Sequence, residues 1–243
     1  MLRSLFENNE EKAGKKKARV FWVYAMGEFV LVFLGILIAL QVDNWNQRRQ
    51  EKKLERILLM EMLTDLRGDL EDIDFNTNAH NRFLHASQVV LEFMKSDLPW
   101  HDSLGAYFAL LLGGSIFDIN TSAYESLKSI GIDLIRNDRL RQKITALYST
   151  RYNHVRANQE VLFNFVFDHF YPSLRIRLHT VRMRQMTVPV NLEDLRQDNA
   201  FLEDLEMAVF TYQLSIGIFR EARESVVDLI TEIEQELGLE PGE

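Results

Sequence analysis

One glutamate sits where charge is expensive. Glu28 lies inside an apolar run, Val20 to Val42, in which fourteen of 23 residues are Leu, Ile, Phe or Val. An acid in such a run can hold a proton, pass an ion, or hydrogen-bond to a neighbouring helix. Glu28, Val32, Gly35, Ala39 and Val42 advance by 4, 3, 4 and 3, which keeps them on one helical face. Gly35 and Ala39 form a small-xxx-small pair that lets two helix backbones approach closely. This stripe is the candidate packing surface of the segment, and Glu28 is its candidate ion or proton site. Where several copies meet through it, their carboxyls cannot all be ionised at close range, so raised and coupled pKa values follow.

Other chemistry-bearing residues give weaker signals. Asp65, Asp69 and Asp72 share a helical face. They offer a cation site, although acids on a helix exterior usually form a solvated face. Arg175, Arg177, Arg182 and Arg184 make the one basic patch of the polar part. It suits anionic lipid headgroups or an acidic partner, or else it is a solvated connector that balances nearby acids. Arg151, His154 and Asn158 are polar where a core seam should be apolar. A buried polar layer and a water-exposed stretch both account for them, and the second costs nothing. The six histidines include no i, i+4 pair and no HExxH motif, and Asp168 beside His169 points the other way on a helix. Gly113-Gly114-Ser115 lacks the Lys-Ser/Thr ending of a phosphate loop and reads as a turn. No residue stands out as catalytic or metal-binding, no cofactor is expected, and the chain does not read as an enzyme. The absence of cysteine removes thiolate nucleophiles, thiolate metal sites and disulfides. A net charge of −8 over 243 residues argues against a nucleic-acid partner.

The elements that hold these residues are helical. At about 1.5 Å per residue, residues 20–42 span roughly 33 Å, enough for a bilayer core. Trp22 and Tyr24 at one end and Trp45 just past the other sit where an aromatic belt belongs. A central charge costs about 3 kcal/mol on insertion scales, and fourteen strongly apolar residues return about 6 kcal/mol, so insertion wins. A core helix of a soluble protein is the alternative; belts and length argue against it. A cleaved signal peptide does not fit, because the run is too long and contains an acid. Six cations precede the span (Arg3, Lys12, Lys15, Lys16, Lys17, Arg19) and five follow it (Arg48, Arg49, Lys52, Lys53, Arg56). Loop charge therefore barely sets the orientation. The usual signal-anchor arrangement puts the short N-terminus in the cytoplasm and the larger part outside.

The run from Gly27-Glu28 through Gly35-Ile36-Leu37-Ile38-Ala39-Leu40-Gln41 to Asn44-Trp45-Asn46 resembles a family of uncharacterised bacterial single-span membrane proteins. Ser122-Ala123-Tyr124-Glu125-Ser126-Leu127, Gly131 and Ile135-Arg136-Asn137 are a second match. The likeness covers the first 50 residues well and the middle of the chain sparsely. The family is a domain of unknown function, so the resemblance implies an architecture and a membrane location without a reaction.

Downstream, helical period predicts one helix from Asp43 that reaches Met94 and stops at Asp97-Leu98-Pro99. Such a rod would hold the following domain at a fixed angle to the membrane. Asp102 or Ser103 can cap a short helix to about Leu112. Ser122 and Glu125 have capping-box spacing, with Gly131 as the stop. Asn137 caps a long helix ending at Tyr171-Pro172. Residues 173–190 read as a short strand or an extended connector. Asn199 caps the last helix, whose seam (Leu202, Leu205, Val209, Tyr212, Ile216, Phe219, Val226, Ile230, Ile233, Leu237) leaves one position to Arg223. That arginine either pairs with an acid across the bundle or reaches the edge, and the cover offered by Ala222 favours the edge.

The expected protein is all-α: a basic segment (1–19), a transmembrane helix (20–42) and a long-helix bundle (43–243). The expected function is a structural or interaction role. It is a single-pass protein of the bacterial inner membrane, N-terminus in the cytoplasm and bundle in the periplasm, in contact with membrane lipid. It forms a homo-oligomer through the membrane stripe and presents the bundle to an unidentified membrane or envelope protein. The alternative is an oligomeric ion channel or a proton-coupled, stator-like transport subunit working through Glu28.

Overall fold

The structure is a computed structural model that describes residues 2–182 and 185–239, with side chains at Met26 and from Glu28 onward. Trp22, Tyr24, the cations before residue 20 and Arg184 thus fall outside the described side chains. The protein is mostly helical, with one small antiparallel sheet. It divides into two compact units, residues 1–54 and 55–243.

The first unit is a single stretch of helix, the N-terminal part of α1 (Leu2–Met94). Its described apolar residues stay in the open: Phe29, Leu31 and Ile38 are each about two-thirds exposed. One described helix is long and apolar enough to cross a membrane, and the apolar window on it has a mean hydropathy of 1.6 with none of it buried. At the end of the run the Arg49 guanidinium lies 5.8 Å from the centre of the Trp45 ring, a cation–π contact of the kind that suits a polar–apolar boundary.

The second unit is built from residues 55–94 of α1, α2 (Leu104–Leu110), α3 (Ser122–Ile130), α4 (Asp138–Ala146), α5 (Tyr152–Phe163), α6 (Tyr171–Arg177), a hairpin of β1 (Leu178–Arg182) and β2 (Met186–Pro189), α7 (Leu192–Arg196) and α8 (Asn199–Leu237). Two π-helical segments, Leu147–Arg151 and Asn164–Phe170, join α4, α5 and α6 into one long helical column. Ion pairs fix the direction of the packing. Arg67 meets Glu234 at 2.9 Å and Lys95 meets Glu206 at 2.7 Å, so α8 runs antiparallel to α1. Lys143 reaches Asp228 and Glu232, each at 2.7 Å, and Arg151 meets Glu221, so the α4–α6 column is antiparallel to α8 as well.

Several local predictions hold. The first helix stops at Met94, Asn137 accepts from the N–H groups of Arg139 and Leu140, and Gly131 (φ 124°) and Gly238 (φ 67°) close their helices with a positive φ that suits glycine. Others do not hold. Ser122 makes no capping box: Thr121 is the cap residue, and the Ser122 hydroxyl donates to Asp65 at 2.9 Å. Tyr171-Pro172 does not end the long helix. Pro172 falls in the first turn of α6, just after a π-helical segment, where a missing N–H costs little, and the helix continues to Arg177. The last helix is capped by Asp198, one residue earlier than expected. Leu178–Arg182 and Met186–Pro189 pair as antiparallel strands with a register shift between Thr180 and Arg182.

Between α2 and α3 the chain runs back along α1 as an extended strap. Its main-chain N–H groups have no ladder to join, and buried N–H groups must find acceptors. The carboxylates of α1 serve them in order. Asp72 accepts from the Asp118 N–H at 3.0 Å, and Asp65 accepts from the Ala123 N–H at 3.0 Å, in the first turn of α3 where the strap ends. Asp69, fully buried, accepts from the Asn120 N–H at 2.9 Å, the Asn120 amide at 2.8 Å and the Tyr152 hydroxyl. Burial raises the Asp69 pKa above the ordinary carboxylate value, and the hydrogen bonds from Tyr152 and Asn120 oppose that rise. The face carrying Asp65, Asp69 and Asp72 is therefore not simply a solvated one: its middle member is buried, and all three acids hold the strap and the start of α3. No cluster of three or more His, Asp or Glu suited to a metal occurs among the described residues. Glu55 extends the same device by accepting from the Arg136 N–H at 2.9 Å.

Replacing Asp69 by Ala leaves the Asn120 and Tyr152 donors unserved in the interior. We expect a loss of about 3 kcal/mol of stability, against about 1 kcal/mol for Asp72→Ala at its half-buried position, read as shifts of the urea unfolding midpoint.

Candidate functional site

In the first unit, Glu28, Val32, Gly35, Ala39 and Val42 lie on continuous helix and all are exposed. A Cβ added at Gly35 would meet nothing within 4 Å. The stripe is thus exposed along its length. An apolar face with an acid at one end and small residues at its centre can pack against an equal face, with the carboxyl accepting or sharing protons across the pair.

In the second unit, the hydrophobic core is split into two clusters. One contains Leu66, Ile73, Leu140, Tyr152, Phe219 and Ile233; the other contains Val90, Phe108, Leu162, Phe170, Phe201 and Tyr212. Polar residues occupy the level between them: Asn76 and His80 on α1, Asn158 on α5 and Ser215 on α8, all buried. Of the three polar residues picked out on the third long helix, only Asn158 joins this layer; His154 is exposed and Arg151 pairs with Glu221. Ser115 of the strap closes it, its hydroxyl donating to the Asn76 side-chain oxygen and its carbonyl facing the His80 Nε2 at 3.3 Å. His80 is fully buried, with its ring 5.1 Å from that of Phe219 and 5.5 Å from that of Tyr212. Its Nδ1, the Asn158 Oδ1 and the Ser215 Oγ have no hydrogen-bond partner among the described residues. Desolvation lowers the His80 pKa, and the Ser115 carbonyl opposes this. Sequence spacing could not find this layer, because its members come from three helices and a strap.

The arginine patch is partly dismantled. Arg177 donates to Asp198 at 2.7 Å and to the Ser173 carbonyl at 3.0 Å, which ties α6 to the start of α8. The contact with Arg177 holds the Asp198 pKa below the usual carboxylate value. Arg175 and Arg182 remain exposed. Arg223 does not simply reach the edge of the bundle: its Nε donates to Asp74 at 2.7 Å, a half-exposed pair across the bundle that raises the pKa of the guanidinium. The acid on α1 lies within reach of the seam, which the periodicity of α8 alone does not reveal.

A model of a family of unknown function, DUF6090, matches residues 28–210, most of the chain and parts of both units. No curated protein and no solved structure matches.

The buried histidine makes stability depend on pH. The folded-state pKa of His80 lies below the unfolded value of about 6.5, so the unfolded chain binds more protons as pH falls. Its contribution is complete above that value and is lost as pH drops towards the folded pKa. We expect the urea midpoint to fall from pH 7 to pH 5, and His80→Gln to flatten that slope. An unchanged slope in the variant would assign the effect to other groups.

Proposed function

We propose that this chain, which belongs to the DUF6090 family, is a membrane-anchored, self-associating structural or interaction protein. The observation that carries this reading is the described apolar window on the helix of the first unit, unburied and bearing one acid on a small-residue stripe. Lipid suits the bulk of such a surface, because apolar side chains left in water forgo about 25 cal/mol per Å2. A second copy of the stripe suits Glu28, because an acid facing acyl chains costs more than one facing protein. In this reading residues 1–19 lie in the cytoplasm of a bacterium, the helix crosses the inner membrane once, and the helical unit stands in the periplasm, where it meets another membrane or envelope protein.

Transport through Glu28 is the competing reading. It separates cleanly from the first, because Glu28→Gln keeps a hydrogen-bonding side chain and removes the titratable group.

Two results are expected. Gly35→Cys in membranes should give disulfide-linked dimers or larger species on oxidation; monomers alone, with efficient thiol labelling, would refute self-association through this face. Glu28→Gln should retain the cross-linking of the Gly35→Cys protein and leave ion flux in reconstituted vesicles at the level of empty liposomes for both forms. Flux that depends on Glu28 would replace the structural role with the transport role.

A further inference from the structure

A cleft of about 450 Å3 opens on the second unit between α1, the end of α2, the Gly113–Ser115 turn and the π-helical segment before α6. That volume falls within the range of small-molecule sites. Three features make it more than a surface dent. The first is its aromatic wall: Phe75 is 63% exposed, Phe167 is 37% exposed, and Phe167 lies between Phe163, tilted against it at 4.5 Å, and Tyr171, edge-to-face at 5.1 Å. Phe167 owes its place to the π-helical segment Asn164–Phe170, a rare conformation that recurs at functional sites. The second is the turn at its base. A Cβ on Gly114 would stand 3.2 Å from the Phe167 ring, and one on Gly113 would stand 2.0 Å from Phe83, so side chains here would crowd the aromatic wall. The third is Arg82 at the rim. Among the described residues it has no ion pair or hydrogen bond. Its neighbours one helical turn away are Asn78, Ala79, His85 and Ala86, none of them acidic. A second open recess over the same helix face is lined by Phe75, Asn78, Arg82 and His85, which places the guanidinium where the aromatic and polar parts meet.

We propose that this cleft binds a small amphipathic anion, its aryl or alkyl body between Phe75 and Phe167 and its carboxylate or phosphate on Arg82. An arginine without a counter-ion at the edge of an aromatic cleft matches an acid with an apolar body, because the fork of the guanidinium takes both oxygens of the head while the rings take the tail. A neutral ligand would leave the charge unmatched, and a head without a tail would leave the rings in water. The head-and-tail chemistry is offered by free aryl or alkyl acids and also by anionic lipids.

The test uses the full chain in phosphatidylcholine nanodiscs, with 4-phenylbutyrate as probe and empty nanodiscs as blank, followed by calorimetry. Saturable binding with a Kd of about 0.1–1 mM is expected for a ligand of this size. 4-Phenylbutanol, the same body without charge, should bind at least about ten-fold more weakly, and acetate should not bind measurably. Arg82→Gln should weaken the probe by about ten-fold or more, with Arg82→Lys between the two and all three proteins unfolding at the same temperature. Phe75→Ala should weaken the probe and the alcohol alike. Adding phosphatidylglycerol to the nanodiscs assigns the source: competition points to lipid, and unchanged binding points to a soluble acid. Absence of saturable heat, equal affinity for acid and alcohol, or an affinity indifferent to Arg82→Gln would overturn the proposal.

Discussion

The bundle depends on one requirement: main-chain N–H groups of an extended strap, laid against a helix, must be given acceptors. No sheet supplies them. Helix α1 does, through Asp72 and Asp69 along the strap and Asp65 at the first turn of α3 where the strap ends. The arrangement has a cost, visible in the upward shift of the buried Asp69, and it gives specificity in return. A strap slipped by one residue would present its donors to the wrong acids. Tyr152 ties the third helical column to the same carboxylate, so strap, α1 and α5 share one anchoring point.

Above that point the device continues in neutral groups. Asn76 accepts from Ser115, and His80 faces the carbonyl of the same residue. The core clusters on either side are apolar and would tolerate sliding; the polar level between them does not, because its groups must meet particular partners. The Gly113–Ser115 turn thus serves two surfaces. Inward it meets the polar layer, and outward it forms the base of the aromatic cleft.

Much of this was legible in the sequence where local rules decide. The stop of α1 before Pro99, the Asn137 cap and the glycine stops follow from backbone preferences, and the all-helical class follows from periodicity. The meaning of the acidic face was not legible. Three acids on one side of a helix read as solvated or cation-binding until the strap is placed on them, and the strap lies about fifty residues downstream. The same tertiary choice diverted Ser122 from its capping box to Asp65. The π-helical segment hid the fate of Pro172, since the helical column runs through a position where proline usually stops a helix. Within the candidate sites, the placing of the Glu28 to Val42 stripe on one exposed stretch of helix was readable because it is local. The cleft was not, because it joins α1, a turn and a distant aromatic ladder.

The first unit obeys the opposite rule: the described apolar window of its helix is wholly unburied. In the proposed reading a bilayer answers this, and it sets the environment of Glu28. The most direct measurement is a spin-label scan of residues 28–49 in the full chain reconstituted in liposomes, read by accessibility to oxygen and to a water-soluble nickel chelate. Labels at Phe33, Leu34 and Ile38 should be oxygen-accessible and shielded from nickel, with a crossover to nickel access around Trp45 to Arg49. Nickel access through the whole of 28–42 would place the helix in water and contradict the account.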